Sequence, residues 1–244
     1  MDQLTGQVPY LTAGQMAEVD RAMVEDFHIE LIQMLENAGR SLAHLARARF
    51  LAGNPAGKQV TVLAGTGGNG GGALACARRL HAWGARVHVF VTRPDDRFAP
   101  IPARQLDILR RMNVPVAQAG AIGQALTPAL IVDGVIGYSL KGGPRGTAAD
   151  LIRWANAQAV PILALDIPSG VDATTGVVYD PAIRATATLT LALPKEGLRA
   201  PGTQEHTGEL YLADIGVPPS LYAGPKLNLA VGPIFARDDV VRLR

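Results

Sequence analysis

The sequence predicts an α/β fold with a mostly parallel central sheet between layers of helices: a Rossmann-like three-layer sandwich that starts with N-terminal helices. Short apolar, β-branched runs alternate with segments of helical period along most of the chain. Such alternation needs crossover connections and therefore favours parallel strands covered on both faces. Repeats, charge blocks and Ser/Pro-rich linkers are not visible. We therefore expect one domain over residues 1–244, with about 226–244 as a peripheral, loosely attached tail.

Composition and charge narrow the functional classes. Hydrophobic residues make up 48% of the 244 residues and charged residues 18%, which favours a folded core over disorder. The formal charge is only +2, with 23 basic and 21 acidic side chains, whereas nucleic-acid binders usually concentrate positive charge. We therefore expect a small-molecule ligand and no nucleic-acid partner.

The chain shows no sign of export or membrane insertion. Cys76 is the only cysteine, so no internal disulfide can form. Residues 1–7 lack a basic segment followed by an apolar run, and no apolar stretch reaches the roughly 18 residues of a membrane span. We expect a cytoplasmic protein without membrane contact.

Two helices are predicted before the first strand. Thr12 and Gln15 form a capping-box pattern that opens the first helix. Apolar residues at helical spacing predict a second, longer helix from Leu31 to about Phe50.

The remaining elements follow in alternation. We expect strands at residues 59–64, 87–91, 114–117, 130–133, 162–166, 187–191 and 209–213, and the pattern also allows a late strand at 227–231. Helices are expected at 73–83, 103–112 and 147–157.

A glycine-rich segment follows the first predicted strand directly. Residues 65–72 contain six glycines in eight positions, which frees the backbone to approach a ligand and present N–H groups to a phosphate. Gly65, Gly67 and Gly70 match G-x-G-x-x-G, but Thr92-Arg93 stands where a ribose-binding acid is expected. A P-loop is excluded because no Lys-Ser/Thr pair follows. We favour ligand binding over a turn that only connects strand and helix.

Two acidic residues end predicted strands at the same edge of the sheet. Asp133 and Asp166 each follow an apolar run, and the carboxyl ends of parallel strands are where ligands bind in such sheets. Each alone is as well explained as a turn or helix cap. Together with Ser169 and Asn69 they form an oxygen-rich set that suits a hard cation.

The lysines and histidines are less informative. Lys141 and Lys195 each suit either a phosphate contact or a solvated position. The five histidines show no metal-ligand spacing.

Several motifs together resemble the YjeF N-terminal domain family, the NAD(P)H-hydrate epimerases, from about Gln15 to Pro218. The segments that carry the resemblance are 35–40 (LENAGR), 67–71 (GGNGG), 132–137 (VDGVIG), 165–172 (LDIPSGVD), 194–198 (PKEGL) and 213–218 (ADIGVP).

The resemblance implies an activity and a set of site residues. It implies exchange between the R and S forms of hydrated NADH and NADPH, with a potassium ion held by Asn69, Asp133 and Ser169. It also implies a separate dehydratase in the same pathway and a homodimer with contacts through the N-terminal helices. The implied substrate-binding residues are Gly68, Asn69, Gly70, Gly71, Gly72, Gly137, Tyr138, Ser139, Leu140, Lys141, Gly142, Gly143 and Asp166.

Inversion of the hydroxylated ring carbon needs a group that moves protons, and Asp166 is our candidate general acid/base. The glycine loop departs from the family pattern N-N-G-G-D, because Gly68 and Gly72 replace the first Asn and the Asp. A catalytically weakened or inactive module for nucleotide or protein binding is therefore the alternative. An NADP-dependent oxidoreductase that uses Arg93 ranks last, because no hydride-transfer machinery accompanies the glycines.

Overall fold

The computed structural model describes Gln3, residues 8–123 and residues 127–244. Within these residues one eight-stranded sheet has the order β3-β2-β1-β4-β5-β6-β7-β8. All neighbouring strands are parallel except the antiparallel pair β7–β8. The strands are β1 Gln59–Ala64, β2 Arg86–Val91, β3 Val116–Gln118, β4 Leu130–Gly134, β5 Ile162–Leu165, β6 Ala187–Leu191, β7 Glu209–Ala213 and β8 Val240–Arg242.

Helices cover both faces, which confirms the predicted α/β class. They are α1 Ala13–Glu25, α2 Leu31–Leu45 with a π-helical turn Ala46–Phe50, α3 Gly68–Ala82, α4 Pro100–Arg111, α5 Gly146–Asn156, α6 Gln204–Thr207 and α7 Pro219–Ala223. The side chains of β1 point alternately to the two faces of the sheet and so contribute to two different cores. Val60 and Val62 belong to the core shared with α2, α3 and α4, whereas Leu63 belongs to the core shared with α5.

The predicted capping box at α1 is present. The backbone N–H of Gln15 donates to Thr12 Oγ1 at 3.2 Å, and the N–H of Thr12 donates to Gln15 Oε1 at 2.9 Å. This start aligns Met16, Val19 and Met23 on the buried face of α1.

The glycine-rich segment differs from the prediction. Residues 65–72 were expected to form a loop before a helix at Ala73, but α3 already begins at Gly68. The cause is close packing: a Cβ on Gly70 would lie 1.9 Å from the Gly65 carbonyl oxygen, and one on Gly71 would lie 2.6 Å from Leu35 Cδ1. Several of these glycines therefore let α3 approach the sheet and α2.

The C-terminal region also differs from the prediction. No strand forms at residues 227–231; this segment packs through Leu227 against α1 and α7, with Leu229 and Val231 partly buried beside it. The last strand is β8, which pairs with β7 through the register Leu212↔Val241. Backbone hydrogen bonds thus join residues 240–242 to the edge of the sheet.

The sheet has a switch point between β1 and β4. The chain runs outward through β2 and β3 on one side of β1, and through β4 and β5 on the other. Loops diverge at such a point and leave a crevice at the carboxyl ends of the strands.

Residues 1–2, 4–7 and 124–126 lie outside the described part of the chain. They include most of the segment whose composition was used above to argue against a signal peptide. Among the described helices none is both long and apolar enough to cross a membrane.

Candidate functional site

A cavity of about 510 Å³ occupies the crevice at the switch point. The turn after β1, the end of β2, the loop after β4 and the end of β5 contribute to its wall. Helices α1 and α2 cover it from the side, with Met16, Met34 and Leu35 in contact with the space. The cavity therefore has an apolar flank and a polar floor, as small-molecule sites usually do.

Asp166 lies at the inner end of this cavity with a strained backbone. It follows β5 immediately and has φ of +66°, in the left-handed region that non-glycine residues rarely adopt. Ile167 N–H donates to the Leu165 carbonyl oxygen at 2.9 Å, so Asp166 is the central residue of a γ-turn. Such strain costs roughly 1–3 kcal/mol and concentrates at functional sites.

The Asp166 carboxylate forms a buried ion pair with Lys195. The Asp166 residue is 4% exposed and Lys195 is 0% exposed. Lys195 Nζ also donates to the Leu191 carbonyl oxygen at 2.8 Å, and Leu191 N–H donates to Asp166 Oδ1 at 3.2 Å. Sequence analysis left Lys195 as solvated or phosphate-binding; the structure instead buries it as the counter-charge of Asp166. Buried charges need such pairing, since removal of one partner leaves the other uncompensated.

Only one oxygen of this carboxylate accepts hydrogen bonds from the described residues. The hydrogen bonds from Thr190, Leu191 and Lys195 all reach Oδ1. Within the described residues Oδ2 accepts none, and it is not among the fully buried atoms that lack a partner. Since Asp166 lines the cavity, Oδ2 remains free to meet a ligand there.

A second carboxyl group, Asp20 of α1, lines the same cavity. Tyr138 donates its hydroxyl proton to Asp20 Oδ2 at 2.5 Å. Burial raises the pKa of Asp20, and the Tyr138 hydrogen bond and the Lys195 charge oppose that rise. Burial and the adjacent Asp20 charge raise the pKa of Tyr138 as well. Sequence analysis missed Asp20. The signal that could have indicated it is an acidic residue between Met16 and Met23, two positions on the buried face of α1.

Asp133 and Ser169 meet beneath the cavity rather than in its lining. Asp133 lies on β4 between Leu63 of β1 and Ala164 of β5, fully buried. Ser169 Oγ donates to Asp133 Oδ1 at 2.7 Å, and Ser169 N–H donates to Oδ2 at 2.9 Å. Burial raises the pKa of Asp133 to about 6, although these bonds act against the rise.

Asn69 is adjacent to the loop that follows Asp133. A Cβ on Gly137 would lie 3.1 Å from Asn69 Cβ and Cγ, so the two segments pack closely. Asn69 Nδ2 is buried without a hydrogen-bond partner among the described residues. The amide orientation is an assignment, and the reversed orientation places an oxygen at this position.

This donor set fits a hard cation. Asp133 carries a buried carboxylate whose hydrogen bonds from the described residues come only from neutral groups of Ser169 and Val135. A cation would supply the missing positive charge, and carboxylate, hydroxyl and amide oxygens are the ligands that such ions prefer. In the described part of the chain no group of three or more His, Cys, Asp or Glu side chains is arranged so that it could hold a metal ion.

The cavity wall contains about half of the substrate-binding residues expected from sequence. The residues that line it are Gly68, Asn69, Gly72, Gly137, Tyr138, Ser139 and Asp166. Gly70 and Gly71 are buried by neighbouring backbone and side chains. Leu140, Lys141, Gly142 and Gly143 lie outside the cavity lining, and Lys141 is exposed.

Fold and site together define a Rossmann-like α/β protein with a ligand cavity at the switch point of its sheet. Residues 31–197 match the family described as YjeF-related protein N-terminus. The chain belongs to this family.

Proteins of similar sequence or structure match most of the length of this chain. The chain is 41% identical over 230 residues to an NAD(P)H-hydrate epimerase of Dehalogenimonas lykanthroporepellens, covering 93% of this chain and 89% of that protein. It is 38% identical to an NAD(P)H-hydrate epimerase of Bordetella pertussis, covering 90% and 92%. It is 35% identical to a bifunctional NAD(P)H-hydrate repair enzyme Nnr of Salinibacter ruber, but spans only 41% of that protein. The crystal structure of yeast ynu0 (YNL200c) superposes with a TM-score of 0.82 at 26% identity, covering 97% of this chain and all of the yeast chain.

Proposed function

We propose that this protein is an isomerase that interconverts the R and S epimers of hydrated NADH and NADPH. The names of relatives that match nearly its whole length support this activity. The observation that carries the proposal is Asp166 at the inner end of the cavity, paired with the buried Lys195 through one carboxylate oxygen while the other accepts no hydrogen bond from the described residues.

The reaction explains why such a group is needed. The hydrated ring has a hydroxyl on the carbon next to the ring nitrogen. A proton donated to this hydroxyl lets it leave as water, while the nitrogen lone pair forms a C=N bond. Water then adds to the opposite face and loses one proton, so atoms and charge balance; ring opening and closure reach the same product. Either route moves a proton to and from a carboxyl group, and Asp166 Oδ2 is our general acid/base.

The neighbouring residues position this chemistry. Lys195 holds Asp166 at the inner end of the cavity and compensates its buried charge. Asp20, whose pKa is raised by burial, is a second carboxyl group in the same cavity. Tyr138 fixes the orientation of Asp20 through its hydrogen bond. The apolar flank on α1 and α2 suits the ring and excludes water.

We further propose a potassium ion at Asn69, Asp133 and Ser169. When bound, it would supply positive charge beside the substrate. Melting in KCl and in NaCl of equal ionic strength tests the site. Wild-type protein should melt at a higher temperature in KCl, and Asn69→Ala should lose this difference. An equal melting temperature in both salts for the wild type would refute the ion.

Partners follow from the same activity. We propose that a dehydratase repairs the S form, because the relatives named as bifunctional repair enzymes are more than twice as long as the matched region. We also propose a homodimer formed through the N-terminal helices. Light scattering tests the dimer, and a monomeric mass at micromolar concentration contradicts it.

The deciding experiment is epimer exchange followed by chromatography. Asp166→Asn should reduce the rate by about a hundredfold or more. Because this change leaves Lys195 unpaired, the double variant Asp166→Asn with Lys195→Met provides a neutral pair that should fold and remain inactive. Asp150→Asn, an exposed acid on α5, is the matched control and should keep full activity. Undiminished exchange in the double variant would remove Asp166 from the mechanism. Absence of exchange in folded wild-type protein would favour the non-catalytic binding module.

A further inference from the structure

The outer end of the cavity contains two arginines that the proposed chemistry does not use. Arg93 follows Thr92 directly after β2, and Arg145 directly precedes α5. Both residues line the cavity and both are exposed, in contrast to the buried Asp166 at its inner end. The cavity thus has a buried inner end and a cationic mouth.

A hydrogen bond holds the two arginine-bearing segments together. Thr147 Oγ1 donates to the Thr92 carbonyl oxygen at 2.8 Å, one residue before Arg93 and two after Arg145. This bond connects the end of β2 to the first turn of α5. The two arginines therefore extend from adjoining backbone segments, and both belong to the lining of the same cavity.

Both arginines are available to an anionic ligand. In the described part of the chain neither forms an ion pair, and the acids on the same loop are engaged elsewhere. Asp95 pairs with Arg110 at 2.7 Å, and Asp96 lies 4.0 Å from Arg97. Planar guanidinium groups bind phosphate through paired hydrogen bonds, which a point charge cannot reproduce.

The order of strands in the sheet indicates which phosphate of a nucleotide the two arginines would bind. In doubly wound sheets a dinucleotide places its diphosphate at the turn after the first strand and its adenosine ribose at the end of the second. An acid at that second position binds a free 2′-hydroxyl, whereas an arginine accommodates a 2′-phosphate. Here β2 neighbours β1 on the side away from β4, and Arg93 stands at its end.

We propose that Arg93 and Arg145 form a subsite for the 2′-phosphate of an NADPH-derived substrate, so that the protein prefers the NADPH adduct to the NADH adduct. The inference rests on the proposed nicotinamide-nucleotide substrate. The adenosine half then occupies the mouth, while the hydrated ring lies at the inner end against Asp166.

The first test measures binding without catalysis. Adenosine 2′,5′-bisphosphate should bind the wild type at least about tenfold more tightly than adenosine 5′-monophosphate by calorimetry, the factor expected for one charge-assisted contact. Arg93→Ala and Arg145→Ala should remove this difference, and Arg93→Lys should restore part of it. Arg97→Ala is the matched control, because Arg97 lies on the same loop and outside the cavity lining. Equal binding of the two nucleotides by the wild type would overturn the subsite.

The second test compares kcat/KM for the two adducts. Arg93→Ala should lower the value for hydrated NADPH about tenfold while leaving hydrated NADH within about twofold. An equal loss for both adducts would assign the arginines to the shared diphosphate, and no loss for either would remove them from the site; both outcomes overturn the inference. Wild-type protein that binds the bisphosphate selectively but epimerises neither adduct would refute the proposed activity and leave the subsite standing.

Discussion

Tyr138 donates a hydrogen bond of 2.5 Å to Asp20 and thereby joins the loop after β4 to helix α1. The two residues are 118 positions apart in the chain. Both contact the cavity, so this bond connects the N-terminal helix to the floor of the site.

Replacement of Tyr138 by Phe should change the titration of Asp20. The hydrogen bond favours the ionised carboxylate, whereas burial favours the neutral acid. Loss of the bond should therefore raise the pKa of Asp20 further, which carboxyl carbon NMR can follow. Tyr10→Phe, a tyrosine that stacks with Arg199, is the control and should leave the titration unchanged. An unmoved Asp20 midpoint in Tyr138→Phe would contradict this account.

Removal of Lys195 should strongly destabilise the fold. Lys195→Met leaves the buried Asp166 charge without its partner, which typically costs about 3–5 kcal/mol in the free energy of unfolding. The double change with Asp166→Asn should recover most of this loss in urea denaturation. Lys226→Met is the control: Lys226 is an exposed partner of Glu18, and its loss should cost no more than about 1 kcal/mol. Equal effects of the two lysine substitutions would disprove a structural role for the buried pair.

Two glycines of the same segment should respond oppositely to alanine. A Cβ at Gly70 would collide with the Gly65 carbonyl oxygen, whereas none of the described residues has an atom within 4 Å of a Cβ at Gly68. Gly70→Ala should therefore destabilise the protein by roughly 1–3 kcal/mol or more, as overpacking does. Gly68→Ala should be neutral or stabilising by up to about 1 kcal/mol. Thermal melting of the two variants measures these changes in stability. Similar melting temperatures for both variants would contradict the packing argument.

Glu209 should contribute acid-sensitive stability. Its hydrogen bonds with Arg49, at 3.0 and 2.9 Å, lower the pKa of Glu209 to about 2. A folded-state pKa below the ordinary glutamate value of 4.5 means that the contribution is present above pH 4.5 and is lost as the pH falls towards 2. Because Arg49 is about half exposed, we expect roughly 1 kcal/mol.

Glu209→Gln should accordingly lower the free energy of unfolding at pH 7 and have little effect near pH 2. Urea unfolding at the two pH values measures this difference. Glu205→Gln, an exposed position on α6, should show no such pH dependence. A Glu209→Gln effect of equal size at both pH values would argue against the ion pair.

Sequence patterns anticipated most of the sheet but misjudged the glycine segment. Strand positions follow from local runs of apolar, β-branched residues, and the structure places them within a few residues of the prediction. The glycines were interpreted as a flexible loop, because local sequence does not show that Leu35 and Gly65 lie against them. The prediction of a late strand at 227–231 was also wrong. The strand that pairs with the free edge of β7 is β8 instead.

The residues of the candidate site likewise fall into those that the sequence could predict and those that it could not. Asp133, Asp166 and Ser169 could be predicted because each lies at or shortly after the carboxyl end of a strand, and parallel strands end at one edge of the sheet. Lys195 and Asp20 could not, since their partners are 29 and 118 residues away. Nothing local distinguishes a buried, paired lysine from a solvated one.

The sequence by itself determined the α/β class, the carboxyl edge at which polar residues accumulate and the motifs that mark the family. These properties depend on periodicity and spacing along the chain. Only the tertiary structure decided that Lys195 is the counter-charge of Asp166, that Asp20 shares their cavity and that Arg93 and Arg145 stand together at its mouth. The physical reason is that charge pairing and burial depend on distances through space, which the order of strands in the sheet sets.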